Sequence, residues 1–317
     1  MVTLNDVAAH AGVSKSTASR ALSTPDLVAA GTTERVLAAA LELGYVPNRA
    51  ARELARGRSG IVALVVPTLT NAFFTPIIGG TQDRATEDDL QLTVAVNALD
   101  SADDLRRFER LAREVDGLLV VAPRGPDDSI AHVAGLKPTI LVDRELTGVP
   151  SVVADTATAF AHLVESLAGV GHDRILYLGG PDQSWQNTQR EQAVTAAAQR
   201  SRVHLEILGP FSPTFAAGAE VATAALDRSA TVVLPYATDL GLGLLLSLHR
   251  SDRASWQMTP DADGRLAVAG VPGAPMVDVD GLALGRRAMA RLVALMRGTD
   301  QGPLTVRVPV PVSWPRH

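Results

Sequence analysis

The 317-residue chain contains no cysteine, which excludes disulfide staples and thiolate metal sites. Its seven histidines are scattered without ligand spacing, so no metal and no other cofactor is expected. No apolar run is long enough to span a bilayer. The chain also lacks a P-loop, a Gly-x-Ser-x-Gly elbow and a Gly-x-Gly-x-x-Gly placed after a strand. No catalytic constellation stands in their place, so no enzyme is expected. The N-terminus enters a helical pattern at once, which predicts no signal peptide and a cytoplasmic protein. Lysine is scarce: only Lys15 and Lys137 occur.

Positive charge is concentrated at the start. Residues 1–60 hold seven Lys and Arg against five Asp and Glu, whereas the rest hold 22 against 29. A mildly basic head on an acidic body suits a nucleic-acid reader whose body avoids the duplex. In the head, Leu4, Val7, Ala8 and Ala11 recur at helical spacing, and Thr3 is placed to cap that helix. Gly12 permits a sharp turn, and Ser14 can cap a second helix. On the second helix Ala18, Ala21 and Leu22 form an apolar arc, with Lys15, Ser16, Ser19 and Arg20 opposite. A helix packed by one face and polar on the other can lie in a major groove, where Arg20 can grip guanine O6 and N7. By spacing alone, an ordinary pair of surface helices fits equally well. A third helix is predicted from about Thr32 to Leu43, with Gly44 just past its end. Asn48 to Arg56 is rich in helix formers, yet shorter than the ~12–15 residues an isolated helix needs in water.

Beyond residue 60, apolar strand-like runs alternate with helix-like ones. The strand candidates are Ile61–Val66, Leu92–Val96, Leu118–Val121, Thr139–Val142, Ile175–Leu178, Val203–Leu208, Thr231–Leu234 and Leu266–Ala269. Such alternation predicts parallel sheets wrapped by helices.

Several motifs carry a family resemblance. They are Asp6-Val7-Ala8 to Gly12-Val13-Ser14, Thr17-Ala18-Ser19-Arg20, Arg35 to Ala40, and Leu43-Gly44-Tyr45-Val46-Pro47-Asn48. Further along stand Val142-Asp143-Arg144, Gly171-His172-Asp173-Arg174 and Gly285-Arg286-Arg287-Ala288. Together they closely resemble the lac repressor (LacI/GalR) family of transcription regulators, over nearly the whole chain and most densely in residues 3–60. The resemblance implies an N-terminal all-α helix-turn-helix domain of lambda-repressor type, followed by an α/β two-lobed effector domain like the periplasmic binding proteins. The expected division is residues 1–47 for the head, 48–59 for a hinge helix and linker, and 60–317 for effector binding and dimerisation. Lobe one is expected over about 60–153 and 281–299, and lobe two over about 154–280 and 300–317. The implied crossings lie near Val153–Asp155, Met276–Gly281 and Gly298–Pro303.

The resemblance also assigns roles. Lys15, Ser16 and Arg20 would face base edges, while Thr3, Ser14, Thr17, Asn48 and Arg49 would touch phosphates. Leu54 would wedge the minor groove at the operator centre, with Ala51 close by. Asn71, Phe73, Phe74, Asp143, Arg190, Phe211 and Thr238 would surround an effector cleft. Without the resemblance, Asp143 and Arg144 form a local ion pair and the phenylalanines are plain core. The implied partners are a palindromic operator of roughly 16–20 base pairs, a second copy of the chain and a small sugar-like or other metabolite. The implied place is the cytoplasm, at the nucleoid.

Three departures from the family pattern stand out. Ala29 occupies the place of a helix-capping serine, which is expected to move the cap to Thr32 or nearby. Ser23 replaces a usual asparagine. The stretch Val268 to Met276 lacks the paired acids that usually end that strand, and no local acid replaces them. An atypical effector, or none, is therefore expected. The alternative is a solute-binding protein of the periplasmic type, which shares the two-lobed body but not the head.

Overall fold

The computed structural model describes residues 2–23, 25–45, 58–250, 252–255 and 265–314. The chain divides between residues 60 and 61 into two compact units.

The first unit is a cluster of three helices: α1 (Leu4–His10), α2 (Lys15–Ser23) and α3 (Ala30–Glu42), with a 3-10 turn over Pro25–Leu27. Thr3 and Asp6 cap α1 reciprocally: the Thr3 hydroxyl oxygen accepts from the Asp6 N–H at 3.4 Å, and the Asp6 carboxylate accepts from the Thr3 N–H at 2.8 Å. Gly12 turns the chain at φ +65°, and the Ser14 hydroxyl oxygen then accepts from the Thr17 N–H at 3.1 Å. Val7, Ala8, Ala18, Ala21, Val36, Ala39 and Ala40 close the core. α3 ends in a Schellman turn: Gly44 donates to the Leu41 carbonyl and Tyr45 to that of Ala40, with Gly44 at φ +63°. Its start differs from the sequence expectation. The cap does not move to Thr32; the helix begins at Ala30, and Ala29 stands at the cap with no side-chain hydrogen bond. The Ala29 carbonyl already accepts from the Thr32 and Thr33 N–H groups, so the backbone starts the helix without a capping side chain.

The second unit carries two parallel sheets. In the first, β1 (Ile61–Val66), β2 (Gln91–Val96), β3 (Gly117–Val121), β4 (Thr139–Val142), β5 (Ser151–Asp155) and β12 (Thr305–Pro309) lie in the order β12-β5-β4-β3-β1-β2. In the second, β6 (Arg174–Leu178), β7 (His204–Leu208), β8 (Val232–Pro235), β9 (Ala254–Ser255) and β10 (Leu266–Val268) lie in the order β7-β6-β8-β10-β9. A two-residue ribbon, β11 (Met276–Val277) against β13 (Val312–Ser313), runs antiparallel. The central strands read as near-continuous apolar runs because both faces are covered. Along β1, Val62, Leu64 and Val66 face α4 (Phe74–Glu87) and α11 (Gly281–Met296), while Ala63 and Val65 face α5 (Ala102–Glu114) and α6 (Asp127–Ala134). The second sheet packs α7 (Thr156–Gly169) and α8 (Trp185–Ser201) on one face, and α9 (Phe215–Leu226) and α10 (Thr238–His249) on the other. A Cβ at Gly80 would collide with the Leu282 carbonyl, and one at Gly285 with that of Ile77, so α4 and α11 approach as only glycine allows. No described helix is long and apolar enough to cross a membrane.

The chain passes between the sheets after β5, between β11 and α11, and between β12 and β13. The third passage corrects the sequence expectation. Residues 300–309, assigned to lobe two, belong with the first sheet, and the crossing falls at 309–312 rather than near Gly298–Pro303. The cause is local. Val306 and Val308 pack on the first core, and β12 pairs with β5 in register from Thr305 with Ser151. The buried Arg291 holds the approach to β12, donating from Nη1 to the Ser151 carbonyl at 2.9 Å and to the Leu304 carbonyl at 3.1 Å, and from Nη2 to that of Pro303.

Candidate functional site

In the first unit, Lys15, Ser16 and Arg20 are exposed on α2, opposite the buried Ala18 and Ala21. The hydroxyls beside them are ordered: Ser14 Oγ lies 2.9 Å from Ser16 Oγ and 2.8 Å from Thr17 Oγ1. Thr3 donates its hydroxyl to Asp6 at 2.8 Å. Thr3, Ser14 and Thr17 therefore serve as helix caps or cap partners in this unit. Asn48, Arg49, Ala51 and Leu54 lie outside the described residues.

In the second unit, a cavity of about 230 Å³ opens at the carboxyl ends of parallel strands, where open α/β sheets bind ligands. Ala122 follows β3, Asp143 follows β4 and Tyr236 follows β8, and all three line it. Asp143 is 2% exposed and holds φ +55°. Its Oδ1 accepts from the Ala154 N–H at 2.9 Å and from Gln186 Nε2 at 3.1 Å. Burial raises its carboxyl to about 6, against the pull of the Ala154 N–H, the Arg190 charge and the Gln186 amide. Gln186 Oε1 in turn accepts from the Thr156 hydroxyl at 3.0 Å, whose oxygen accepts from Arg190 Nε at 2.9 Å. Arg190 Nη1 donates to the Tyr236 carbonyl at 2.9 Å. The guanidinium lies 4.8 Å from the Phe160 ring centre and 4.7 Å from that of Tyr236. Asp143 comes from the first sheet and Gln186 from α8 on the second, so this chain of hydrogen bonds joins the two lobes.

Of the seven cleft residues expected from sequence, the fold brings Asn71, Phe73, Phe74, Asp143, Arg190 and Thr238 to this cavity. Phe211 is elsewhere: it packs on the core between the second sheet and α9 and α10, and its N–H donates to the Gly179 carbonyl at 3.2 Å. Phe74 is mostly core, at 4% exposure. Asn71 turns back on its own chain, accepting from the Phe73 N–H at 3.1 Å. Arg144 pairs with Asp127 at 2.6 Å rather than with Asp143.

Sequence reasoning missed Phe160, Gln186, Tyr236, Asp239 and Asp278, all of which line the cavity. Asp239 and Asp278 lie outside Val268–Met276 and reach the cleft from the start of α10 and the end of β11, so acids stand at the cleft although none stands within that stretch. The stretch Val268–Met276 closes on itself, with Gly270 donating to the Pro275 carbonyl at 2.8 Å. Two signals were available. Gln186 sits one helical turn before Arg190, and Tyr236 directly follows an apolar strand.

Residues 3–48 match the family described as "Bacterial regulatory proteins, lacI family". Residues 59–284 match "Periplasmic binding proteins and sugar binding domain of LacI family". The maltose regulon regulatory protein MalI of Escherichia coli (strain K12) is 30% identical over 322 residues, covering 99% of this chain and 86% of that protein. The solved complex of the transcriptional regulator CelR with cellobiose superposes with a TM-score of 0.69 at 26% identity, over 99% of this chain and 98% of that one. The lac repressor dimer bound to operator and an anti-inducer shares the fold, with a TM-score of 0.83 at 24% identity over 98% and 97% of the two chains.

Proposed function

The chain belongs to the lacI family of bacterial regulatory proteins and is a sequence-specific DNA-binding transcriptional regulator, and we propose that it acts as a dimeric repressor whose hold on a palindromic operator is set by a small molecule in the cleft. The observation that carries this reading is the exposure of Lys15, Ser16 and Arg20 together on one capped helix whose other face is buried. One such helix reads a half-site, and a twofold pair of chains reads a palindrome. In this reading Lys15, Ser16 and Arg20 meet base edges, while Thr3, Ser14, Thr17, Asn48 and Arg49 meet phosphates. Ala51 and Leu54 approach the minor groove. The protein then works in the cytoplasm, on the nucleoid.

The effector would be small and polar. Both hydrogen bonds to Asp143 end on Oδ1, which leaves Oδ2 to accept from a ligand, and Arg190 keeps Nη2 to donate. Asn71, Thr238, Asp239 and Asp278 supply further polar groups around the cavity. An effector that draws the lobes together or apart changes the spacing of two short hinges. That is an order–disorder switch governed from a distance.

Selection of duplexes from a randomised pool by the full-length protein tests the reading. Enrichment of one palindrome of roughly 16–20 base pairs is expected. A pool that stays random after several rounds, at salt low enough for retention, would remove it.

A further inference from the structure

Resting on the reading of the cleft as an effector site, we propose that Tyr236 sets the size limit of that site, so that it admits a ligand of one ring and refuses a ligand of two. Tyr236 stands directly after β8, a central strand of the second sheet, and lines the cavity. The residue is fixed at three points. Its ring lies under the Arg190 guanidinium at 4.7 Å. Its carbonyl accepts from Arg190 Nη1 at 2.9 Å. Its hydroxyl is 3.1 Å from the hydroxyl oxygen of Ser184, which also caps α8.

The ring cannot swing toward Gly180 to make room. A Cβ there would come within 2.7 Å of three of its atoms, so ring and backbone already touch as closely as glycine permits. Arg190 cannot retreat either, since Nε is held by Thr156 at 2.9 Å and its guanidinium also lies over Phe160 at 4.8 Å. Tyr236 and Arg190 thus form one rigid wall.

The space left is about 230 Å³, below the ~300 Å³ at which sites for drug-sized ligands begin. A single ring carrying a donor beside an acceptor satisfies Asp143 Oδ2 and Arg190 Nη2 together. A second ring directed at Tyr236 would have to break the Tyr236–Ser184 bond and the ring–guanidinium contact.

Calorimetry on the full-length chain tests the size limit. The single-ring probes are glucose, ribose, glucosamine and inositol, and the two-ring probes are cellobiose, maltose and cytidine. The wild type is expected to bind at least one single-ring probe and no two-ring probe. Tyr236→Ala is expected to bind a two-ring probe at least tenfold more tightly than the wild type. Tyr236→Phe, which keeps the ring, is expected to go on refusing it. Should Tyr236→Ala lose its cooperative melt, Tyr236→Leu takes its place. A two-ring probe bound by the wild type as tightly as any single ring overturns the size limit and leaves the effector site standing. Single-ring binding that leaves operator affinity unchanged overturns the effector reading and leaves the size limit standing. No binding of any probe to the wild type or to the variants overturns both.

Discussion

Burial pushes the Asp143 carboxyl up to about 6, although the Ala154 N–H, the Arg190 charge and the Gln186 amide all favour its charged form. Its folded value lies above its ordinary value of 3.8. Below the ordinary value both folded and unfolded chains carry the proton, and the stability this group contributes is complete. As pH rises toward the folded value the unfolded chain sheds the proton first, so stability falls until the folded group has ionised as well. By neutral pH the loss is about 2–3 kcal/mol. Asp143→Asn removes the ionisation but keeps an Oδ1 acceptor, and asparagine tolerates positive φ. Urea denaturation should give the variant a higher midpoint at pH 7 and a flatter dependence of stability between pH 4 and 6. An unchanged slope would mean that the folded carboxyl titrates like a free one. At Arg20 specificity is at stake. Arg20→Ala should cost about 1–3 kcal/mol in operator affinity and relax base preference at one position in each half-site. Selection on randomised operators reads this directly, and an unchanged preference would show that Arg20 does not read a base.

Helix ends and edge strands are the elements where sequence and structure part. At α3 the helix starts on a bare alanine, with nothing but backbone to satisfy its first N–H groups. Ala29→Ser supplies a side-chain oxygen and should stabilise the protein by about 1 kcal/mol, within the range measured for such caps. Thermal denaturation would read this as a higher melting point for the first unit. No gain would mean that serine fails to reach the N–H groups from the φ −54°, ψ 134° backbone of Ala29. The central strands were legible because burial on both faces writes a continuous apolar run, as in Ile61–Val66 and Thr139–Val142. β12 was not legible. It is half-buried at a sheet edge and ends in Pro309, and its position depends on Arg291 reaching across from α11. The cleft divides in the same way. Asp143 sits in the Val142-Asp143-Arg144 motif and Arg190 at a position assigned by the family resemblance, and the fold brings them to one cavity. Phe160 on α7 and Tyr236 after β8 meet Arg190 on α8, and no local spacing announces contacts between elements so far apart in the chain. Phe211 misled because an aromatic after a strand fits a core as well as a cleft.

Across the whole molecule, charge and the proposed hinge work together. Residues 1–60 carry seven Lys and Arg against five Asp and Glu, and the remainder is acidic, so electrostatic attraction to a duplex resides in the head. That attraction is blind to sequence and weakens steeply with salt as phosphate contacts release counterions. Specific binding needs something more, and the proposed mechanism assigns Leu54 to that part. In the proposed mechanism its segment is too short to be helical in water and becomes so only against DNA and the partner's copy. The leucine then unstacks a base step, at a cost of a few kcal/mol, in return for a bent duplex that buries more protein. None of this occurs on non-specific DNA, where the heads hold phosphates alone. Leu54→Ala should therefore weaken binding to the selected palindrome far more than binding to random duplex, and the salt dependence of the non-specific complex should stay as it was. Fluorescence anisotropy with both duplexes across a salt series measures the two losses side by side. Equal losses would assign Leu54 to the packing of the protein itself, and the effector would then have to act through the spacing of the heads rather than through a hinge that orders on the operator.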